Sequence, residues 1–109
     1  MKVEDTRHRH SPTKIALVTG GFDPIHSGHI QYLKAAATYA DYLIVGVNSD
    51  EWLTRKKGRP FMPIEERVAI LNELLVVDEV ITFDDSDDTG CGAIEKVKEL
   101  YKDPFGGKF

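Results

Sequence analysis

Apolar residues form three short continuous runs along the chain, each bounded by glycine or by polar residues. They lie within "KIALVTG" at 14–20, "DYLIVGVNSD" at 41–50 and "DEVITF" at 78–83. Runs of this length are typical of β-strands, and the lack of polar alternation in the first two predicts burial on both faces of a parallel sheet. We therefore predict three strands in a sheet that is covered by helices.

Between and after these runs, apolar residues recur at the spacing of an α-helix. This spacing predicts helices over 28–40, 63–75 and 93–101. Ser27 or a neighbour is the predicted cap of the first helix, and Pro63 is the predicted first residue of the second. The residues predicted to face the core are Ile30, Leu33, Ala37 and Tyr39 in the first helix and Ile94, Val97, Leu100 and Tyr101 in the last.

The remaining segments are predicted to be loops. Residues 51–63 mix basic residues, glycine and two prolines, which favours an exposed loop that begins at most with a short helical turn, and residues 84–92 form an acidic loop. The resulting order β-α-β-α-β-α predicts an α/β fold with a parallel sheet and right-handed crossovers. In such sheets ligands bind beyond the carboxyl ends of the strands.

Length, charge and cysteine content narrow this picture. A chain of 109 residues fits one domain, for which we expect a flexible polar tail over 1–14 and a folded domain over 15–109. The net charge of −4 argues against nucleic-acid binding. Cys91 is the only cysteine, which excludes an internal disulfide and a cysteine metal cluster. Since no signal peptide and no membrane-length apolar run is found, we expect a soluble, cytoplasmic protein without membrane contact.

A glycine-rich turn follows the first predicted strand in "GGFDPIHSGH", residues 20–29. The backbone N–H groups of Gly20, Gly21 and Phe22 can face the N-terminus of the next helix, where anions bind readily. This turn therefore predicts a binding site for phosphate groups.

Two histidines lie at the start of the same predicted helix. His26 and His29 are within one turn of each other, so both rings can reach the same bound group, and Gly28 lets a ligand approach the backbone. Hydrogen-bond donors of this kind suit nucleotidyl transfer, in which the protein mainly positions and stabilises a charged transition state. The alternatives are a structural turn with two satisfied histidines and a zinc pair, although no third zinc ligand stands at a recognisable spacing.

The motif at 20–29 resembles the H-x-G-H signature of the cytidylyltransferase-like nucleotidyltransferases, which follows the first strand of a Rossmann-like sheet. The likeness continues through 40–81, which is similar to the second strand, basic loop and "E-x-R" helix of glycerol-3-phosphate cytidylyltransferases and of heptose-phosphate adenylyltransferase domains. In all it covers roughly 15–83. The ordered occurrence of these segments is much more specific than any one of them.

The resemblance implies roles for ten residues. His26 and His29 would stabilise the transferring phosphate, and Lys56 would close over the phosphates from a flexible basic loop. Lys56 is alternatively a solvated charge, in which case Arg55 or Lys57 could take its role. The implied nucleotide-binding residues are Gly20, Gly21, Phe22, Asp23, Gly28, Asp50 and Arg67.

Two of these implied residues have a structural alternative. Arg67 could form an ion pair with a neighbouring carboxylate, and Asp50 could cap a helix.

The resemblance also implies a reaction and its partners. The substrates would be an NTP, either CTP or ATP, with Mg²⁺, and a phosphorylated polyol or sugar, and the product would be released with pyrophosphate. A homo-oligomer is implied by the family and by the bare edge of the third predicted strand. The late family motif "R-x-x-x-I-S-S/T-T" is not found, so the Rossmann-like domain is expected to be shortened at its C-terminus. The alternatives are a heptose-phosphate or dinucleotide-forming adenylyltransferase and a nucleotide-binding module without catalysis.

Overall fold

A computed structural model describes residues 14–101 of the chain. The predicted tail with His8 and His10 therefore lies outside the described residues, except for Lys14, and so does the end of the predicted domain. The elements are β1 (Ile15–Gly20), α1 (Ser27–Ala37), β2 (Tyr42–Val47), α2 (Asp50–Lys57), α3 (Ile64–Asn72), β3 (Glu79–Thr82) and α4 (Cys91–Leu100). None of these helices is long and apolar enough to cross a bilayer.

The three strands form one parallel sheet in the order β1-β2-β3. Val45 lies in the centre of the sheet, opposite Val18 on one side and Val80 on the other. Each crossover carries at least one helix, as parallel pairing requires. The prediction of an α/β fold with a Rossmann-like parallel sheet and flanking helices is confirmed.

The core consists of two apolar layers, one on each face of the sheet. Alternate residues of β2 point to opposite faces. Leu43, Val45 and Val47 belong to the larger layer, which also contains Leu33 of α1 and other residues from α3 and the loop before β3. The smaller layer contains Ile44, Ile81 and Val97, so α4 covers the opposite face from α1 and α3.

The prediction of complete burial is right for β2 and wrong for β1. Leu43 to Val47 are all buried, whereas no residue of β1 is buried and Thr19 is exposed. The cause is position in the sheet: β2 has a partner on both edges, and β1 has one among the described residues. A continuous apolar run in the sequence does not distinguish these positions.

The predicted loop over 51–63 is wrong for its first seven residues, which belong to α2. Ser49 caps this helix by accepting the N–H of Trp52. Acidic residues lie in its first turn and three basic residues in its last, an order that matches the helix dipole. Gly58 ends the helix with a φ of 95°, a conformation that favours glycine.

The predicted apolar face of α1 is confirmed at Leu33 and at Ala37, which is half-buried and packs against the larger layer. Leu33 is fully buried, but Ile30 is 37% exposed and Tyr39 is 72% exposed. Tyr39 lies beyond the helix, which ends at Ala37. Its backbone therefore no longer follows the helical spacing on which the prediction depended.

In α4 the buried face is shifted by one residue from the prediction. Ala93 and Val97 are fully buried at i and i+4, whereas Ile94 and Leu100 are exposed. The predictions for Val97 and for Tyr101, which packs against the smaller layer, are confirmed, and those for Ile94 and Leu100 are wrong. The small side chain of Ala93 allows close approach to the sheet, which a pattern based on large apolar residues overlooks.

Candidate active site

The turn after β1 lies at the carboxyl edge of the sheet. Gly20 ends the strand, and its carbonyl oxygen accepts the N–H of Asn48 at 2.9 Å, which joins this turn to the end of β2. Phe22 has a φ of 52°, which is uncommon for a residue other than glycine, while its side chain is buried in the core. Buried packing of the ring fixes the strained backbone and brings the chain to the start of α1.

The two histidines of this turn lie together. The rings of His26 and His29 are stacked with their centroids 4.0 Å apart and 30° between their planes. The ring of His29 also meets the buried ring of Phe22 edge-on, at 5.2 Å between centroids. His26 is exposed and His29 is half-buried. Both imidazoles can therefore reach one group bound at the N-terminus of α1.

Hydrogen bonds to the backbone fix the tautomer of both rings. The Nδ1 of His26 accepts the N–H of Gly28 at 3.0 Å, and the Nδ1 of His29 accepts the N–H of His26 at 3.2 Å. A neutral imidazole whose Nδ1 accepts carries its proton on Nε2. No hydrogen bond to another described residue uses either Nε2, so each ring offers a donor to a ligand while its other nitrogen caps the helix.

Gly28 is required for this arrangement. A Cβ at this position would lie 2.8 Å from Cε1 of His26 and 3.1 Å from its Nδ1. Any other residue would displace the His26 ring from its capping bond. Gly28 was predicted to admit a ligand, and the structure adds a second reason for its presence.

The environment of His29 favours its neutral form. Burial lowers the pKa of His29 below its ordinary value of 6.5, and the neighbouring His26 lowers it further. Protonation would also break the bond from the backbone N–H of His26, because Nδ1 would become a donor. His29 therefore acts near neutral pH as a neutral N–H donor.

Asp23 connects the turn after β1 to the segment after α2. Its carboxylate accepts the N–H of Phe61 and of Met62 at 2.7 Å each, and Nζ of Lys57 lies 2.9 Å away. Burial alone would raise the pKa of Asp23, but these bonds lower it more, so its net pKa lies below the ordinary range. This geometry uses Asp23 to position the turn, and a direct nucleotide contact by Asp23 stays a prediction.

Arg67 joins three segments at the carboxyl edge. Its guanidinium is fully buried and donates to the carbonyl oxygens of Gly21, Asn48 and Met62 at 2.7 to 2.9 Å. It also binds the Asp50 carboxylate at 2.6 Å. The structure thus gives Arg67 the ion pair that was the alternative to nucleotide binding, and its direct contact with a nucleotide stays a prediction.

Asp50 does not cap α2, because Ser49 does. Ser49 is in turn held by Asp85, a buried residue whose carboxylate accepts from the N–H and hydroxyl of Ser49 and from the amide of Asn48 at 2.7 to 3.0 Å. Burial alone would raise the pKa of Asp85, but these bonds lower it more. The sequence analysis missed Asp85, since nothing in the acidic loop distinguishes it from its solvated neighbours.

Of the three consecutive basic residues in α2, two form ion pairs. Arg55 binds a carboxylate of the acidic loop at 2.9 Å and Lys57 binds Asp23 at 2.9 Å. Lys56 is exposed, forms no ion pair with a described residue, and lies 5.4 Å from the centroid of the Trp52 ring. Lys56 is therefore the member of the trio whose charge can meet a ligand, and its catalytic role stays a prediction.

Residues 14–101 contain no group of three or more histidine, cysteine or acidic side chains arranged to hold a metal ion. The histidine pair is likewise short of the three protein ligands that a catalytic zinc takes. What the site offers is a pair of imidazole donors at the N-terminus of α1, and an exposed lysine on α2.

Comparison with known proteins agrees with this geometry. A model of the cytidylyltransferase-like family matches residues 17–103. The chain is 42% identical to the bifunctional protein HldE of Sulfurimonas denitrificans over 94 residues, 84% of this chain and 19% of that protein. It is 40% identical to the bifunctional protein HldE of Pseudomonas aeruginosa (strain PAO1) over 100 residues, 90% of this chain and 20% of that protein.

The chain thus spans about a fifth of the length of these curated relatives. Among solved structures, it is similar to the lipopolysaccharide core biosynthesis protein from Thermoplasma volcanium GSS1. The TM-score is 0.68 at 29% identity, with 87% of this chain and 80% of that one covered.

Proposed function

Because this chain belongs to the cytidylyltransferase-like family, we propose that it transfers a nucleotidyl group from CTP or ATP to a phosphorylated sugar or polyol and releases pyrophosphate. The observation that carries the proposal is the stacked pair of His26 and His29. Their Nδ1 atoms are fixed by the backbone, so two Nε2–H donors are held at the N-terminus of α1. Donors that are oriented before the substrate binds are the main means by which proteins stabilise charge in phosphoryl chemistry.

In the proposed reaction, a phosphate oxygen of the acceptor attacks the α-phosphorus of the NTP. The new P–O bond forms as the bond from the α-phosphorus to the bridging oxygen of the β-phosphate breaks. The electron pair leaves with pyrophosphate. No covalent bond to the protein is needed, so the protein contributes positioning and stabilisation of charge. His26 and His29 would donate to oxygens of the α-phosphate.

The other predicted residues would serve the same step in different ways. Lys56 would meet the β- and γ-phosphates from α2, and the turn at Gly20, Gly21 and Phe22 would present the backbone to the nucleotide. Magnesium enters the proposal with the NTP, since Mg²⁺ in such sites is held largely by substrate phosphates and water. It would neutralise charge on the leaving group.

The comparisons support a sugar phosphate as the acceptor class. Both relatives described above are bifunctional HldE proteins, and the similar solved structure is a protein of lipopolysaccharide core biosynthesis. Residues 40–81 also resemble segments of enzymes that act on glycerol phosphate and heptose phosphate. The choice between CTP and ATP depends on base recognition, which phosphate contacts alone do not supply.

The test is to incubate the purified chain with each of the four NTPs, Mg²⁺ and a panel of phosphorylated sugars and polyols, and to measure pyrophosphate. Release that requires one NTP and one acceptor together supports the proposal. Saturable NTP binding without release would identify a nucleotide-binding module instead. A chain that neither binds an NTP nor releases pyrophosphate would contradict both.

A further inference from the structure

The indole ring of Trp52 lies against both the turn after β1 and the basic end of α2. At the turn, a Cβ added to Gly21 would be 3.7 Å from Cζ3 of the ring. Nζ of Lys56 lies over the same ring, 5.4 Å from its centroid. This separation is within the distance of about 6 Å at which an ammonium is attracted to an aromatic face. Trp52 therefore links the turn after β1 to the lysine that is predicted to meet phosphates.

The start of α2 fixes the position of this ring. The backbone N–H of Trp52 donates to the hydroxyl of Ser49 at 3.0 Å, and the same hydroxyl donates to the carboxylate of Asp85 at 2.7 Å. The next residue, Leu53, is buried, and the indole itself is half-buried. Residues four apart on a helix are neighbours on its surface, so a ring fixed at 52 restricts the directions open to the side chain at 56.

Lys56 differs from its two basic neighbours in what holds it. Arg55 and Lys57 each bind a carboxylate at 2.9 Å, so their charges are compensated within the protein. Among residues 14–101, the ammonium of Lys56 contacts the Trp52 ring and forms no ion pair. An aromatic ring attracts an ammonium without neutralising it. Lys56 is therefore oriented by a neighbour and keeps its full charge for an anionic ligand.

We propose that Trp52 is a positioning residue, which directs the ammonium of Lys56 toward the polyphosphate chain of a bound NTP. A lysine loses rotamer entropy when a ligand immobilises it. A lysine that a ring already holds loses less, so the same charge gives a higher affinity. The inference rests on the proposed function, and it adds a residue that acts on the phosphates through Lys56.

The test is a double-mutant cycle of Trp52→Leu and Lys56→Ala, with inorganic triphosphate as the probe. Triphosphate lacks a base and a sugar, so its binding isolates the part of an NTP that Lys56 is predicted to meet. Trp52→Phe is the conservative variant, because it keeps a smaller aromatic ring. The matched control is Tyr39→Leu, which removes an exposed aromatic ring beyond α1. Calorimetry measures the affinity of each protein.

Trp52→Leu should weaken triphosphate binding about threefold, the factor that corresponds to one cation–π contact near the surface. Trp52→Phe should weaken it less, and Tyr39→Leu should bind like the wild type. In the Lys56→Ala protein, Trp52→Leu should have no further effect, because the group on which it acts is gone. Effects of the two substitutions that add in full would overturn the inference, since Trp52 would then act independently of Lys56.

Fluorescence tests the contact with Trp52 in place, and it therefore holds even if Trp52→Leu unfolds the chain. Trp52 is the only tryptophan of the sequence, so the indole emission comes from this ring alone. Lys56→Ala should shift the emission of the ligand-free protein, because the ring loses a neighbouring charge. Lys98→Ala removes the same charge from the exposed surface of α4 and should leave the emission unchanged. Identical spectra for the wild type and Lys56→Ala would contradict the contact.

The outcomes distinguish this inference from the proposed function. Non-additive effects on triphosphate binding, in a chain that releases no pyrophosphate with any NTP and acceptor, would support the role of Trp52 and refute the transfer reaction. Pyrophosphate release by a chain in which the two effects add in full would support the transfer reaction and refute the role of Trp52. A wild-type chain that does not bind triphosphate would also overturn the role of Trp52.

Discussion

Arg67 and Asp50 form an ion pair of 2.6 Å in which the arginine side chain is fully buried and the aspartate side chain is 36% exposed. The two partners therefore differ in what their loss exposes. Removal of Arg67 leaves one carboxylate and three carbonyl oxygens without this donor, whereas removal of the Asp50 charge leaves the guanidinium with its other three acceptors.

We predict that Arg67→Ala lowers the free energy of unfolding by about 3 kcal/mol or more, because a fully buried side chain is removed and its four acceptors lose a donor. Arg67→Lys should recover only part of this loss, since an ammonium cannot reproduce the planar set of bonds. Asp50→Asn should cost less than either. Urea unfolding measures the stability of all three variants. Equal losses of unfolding free energy for Arg67→Ala and Asp50→Asn would contradict the conclusion that Arg67 holds the three segments of the site together.

The histidines combine capping with a predicted catalytic role, and substitution can separate the two. His26→Asn retains a side chain that caps helices well, so its stability should stay close to that of the wild type, whereas His26→Ala should lose about 1 kcal/mol. Both should lower turnover by at least about two orders of magnitude, as loss of an oriented donor does. The control is Ser27→Ala, a substitution of the adjacent, exposed residue. Normal turnover by a stable His26→Asn protein would contradict the role of the ring.

The lowered pKa of His29 predicts a contribution to stability that depends on pH. The unfolded chain takes up this proton near pH 6.5 and the folded chain only at lower pH, so the unfolded state binds more protons in between. The contribution is therefore fully present above pH 6.5 and is lost as pH falls through the lower folded pKa. His29→Gln should remove it. Unfolding curves from pH 8 to 5 that differ between the two proteins by a constant amount would contradict this prediction.

Lys56 is predicted to contribute to nucleotide binding or transfer. Lys56→Ala should weaken NTP binding or slow transfer by about tenfold, because a cation next to phosphates acts mainly by charge. Lys98→Ala removes the same charge from the exposed surface of α4 and serves as the control. If both variants keep the NTP affinity and turnover of the wild type, Lys56 is only a solvated surface charge and the prediction is wrong.

A homodimer or higher oligomer at micromolar concentration remains a prediction. Within residues 14–101, β3 has a partner on one side and presents its other edge, and such edges invite association. Thr82→Lys adds a charge at this edge and should favour the monomer, whereas Asn72→Lys adds the same charge at the end of α3 and should not. Light scattering at micromolar protein concentrations measures the oligomeric state of each protein. A wild-type chain that stays monomeric and active would refute the prediction.

Continuity of the apolar runs was sufficient to predict the three strands, the parallel sheet and the position of the histidine turn. It could not rank the strands by burial, because β1 and β2 differ in their neighbours and not in their apolar content. The helix α2 was missed because its basic residues and the following glycine and prolines resemble a loop. The cap residue, the acidic first turn and the basic last turn of α2 are all typical of a helix. Ser49, three residues before Trp52, is the residue that indicates where this helix begins.

The candidate site was predictable where chemistry follows from local spacing, as at His26 and His29. It was not predictable where the partner is distant in sequence. The carbonyl acceptors of Arg67 lie up to 46 residues away, and Asp85 holds Ser49 from 36 residues away. Such contacts depend on the order of strands and on loop geometry, and no local pattern in one sequence encodes them.

The central strand β2 also allows the effect of a substitution on global stability to be separated from its effect on ligand binding. Its amides have partners on both sides and lie in the buried core, so they should exchange with deuterated solvent only when the whole domain unfolds. The turns at the strand ends can open locally without separating β2 from its neighbours. Exchange at β2 therefore reports global stability, and exchange at the histidine turn reports ligand contact, within one spectrum of the same sample.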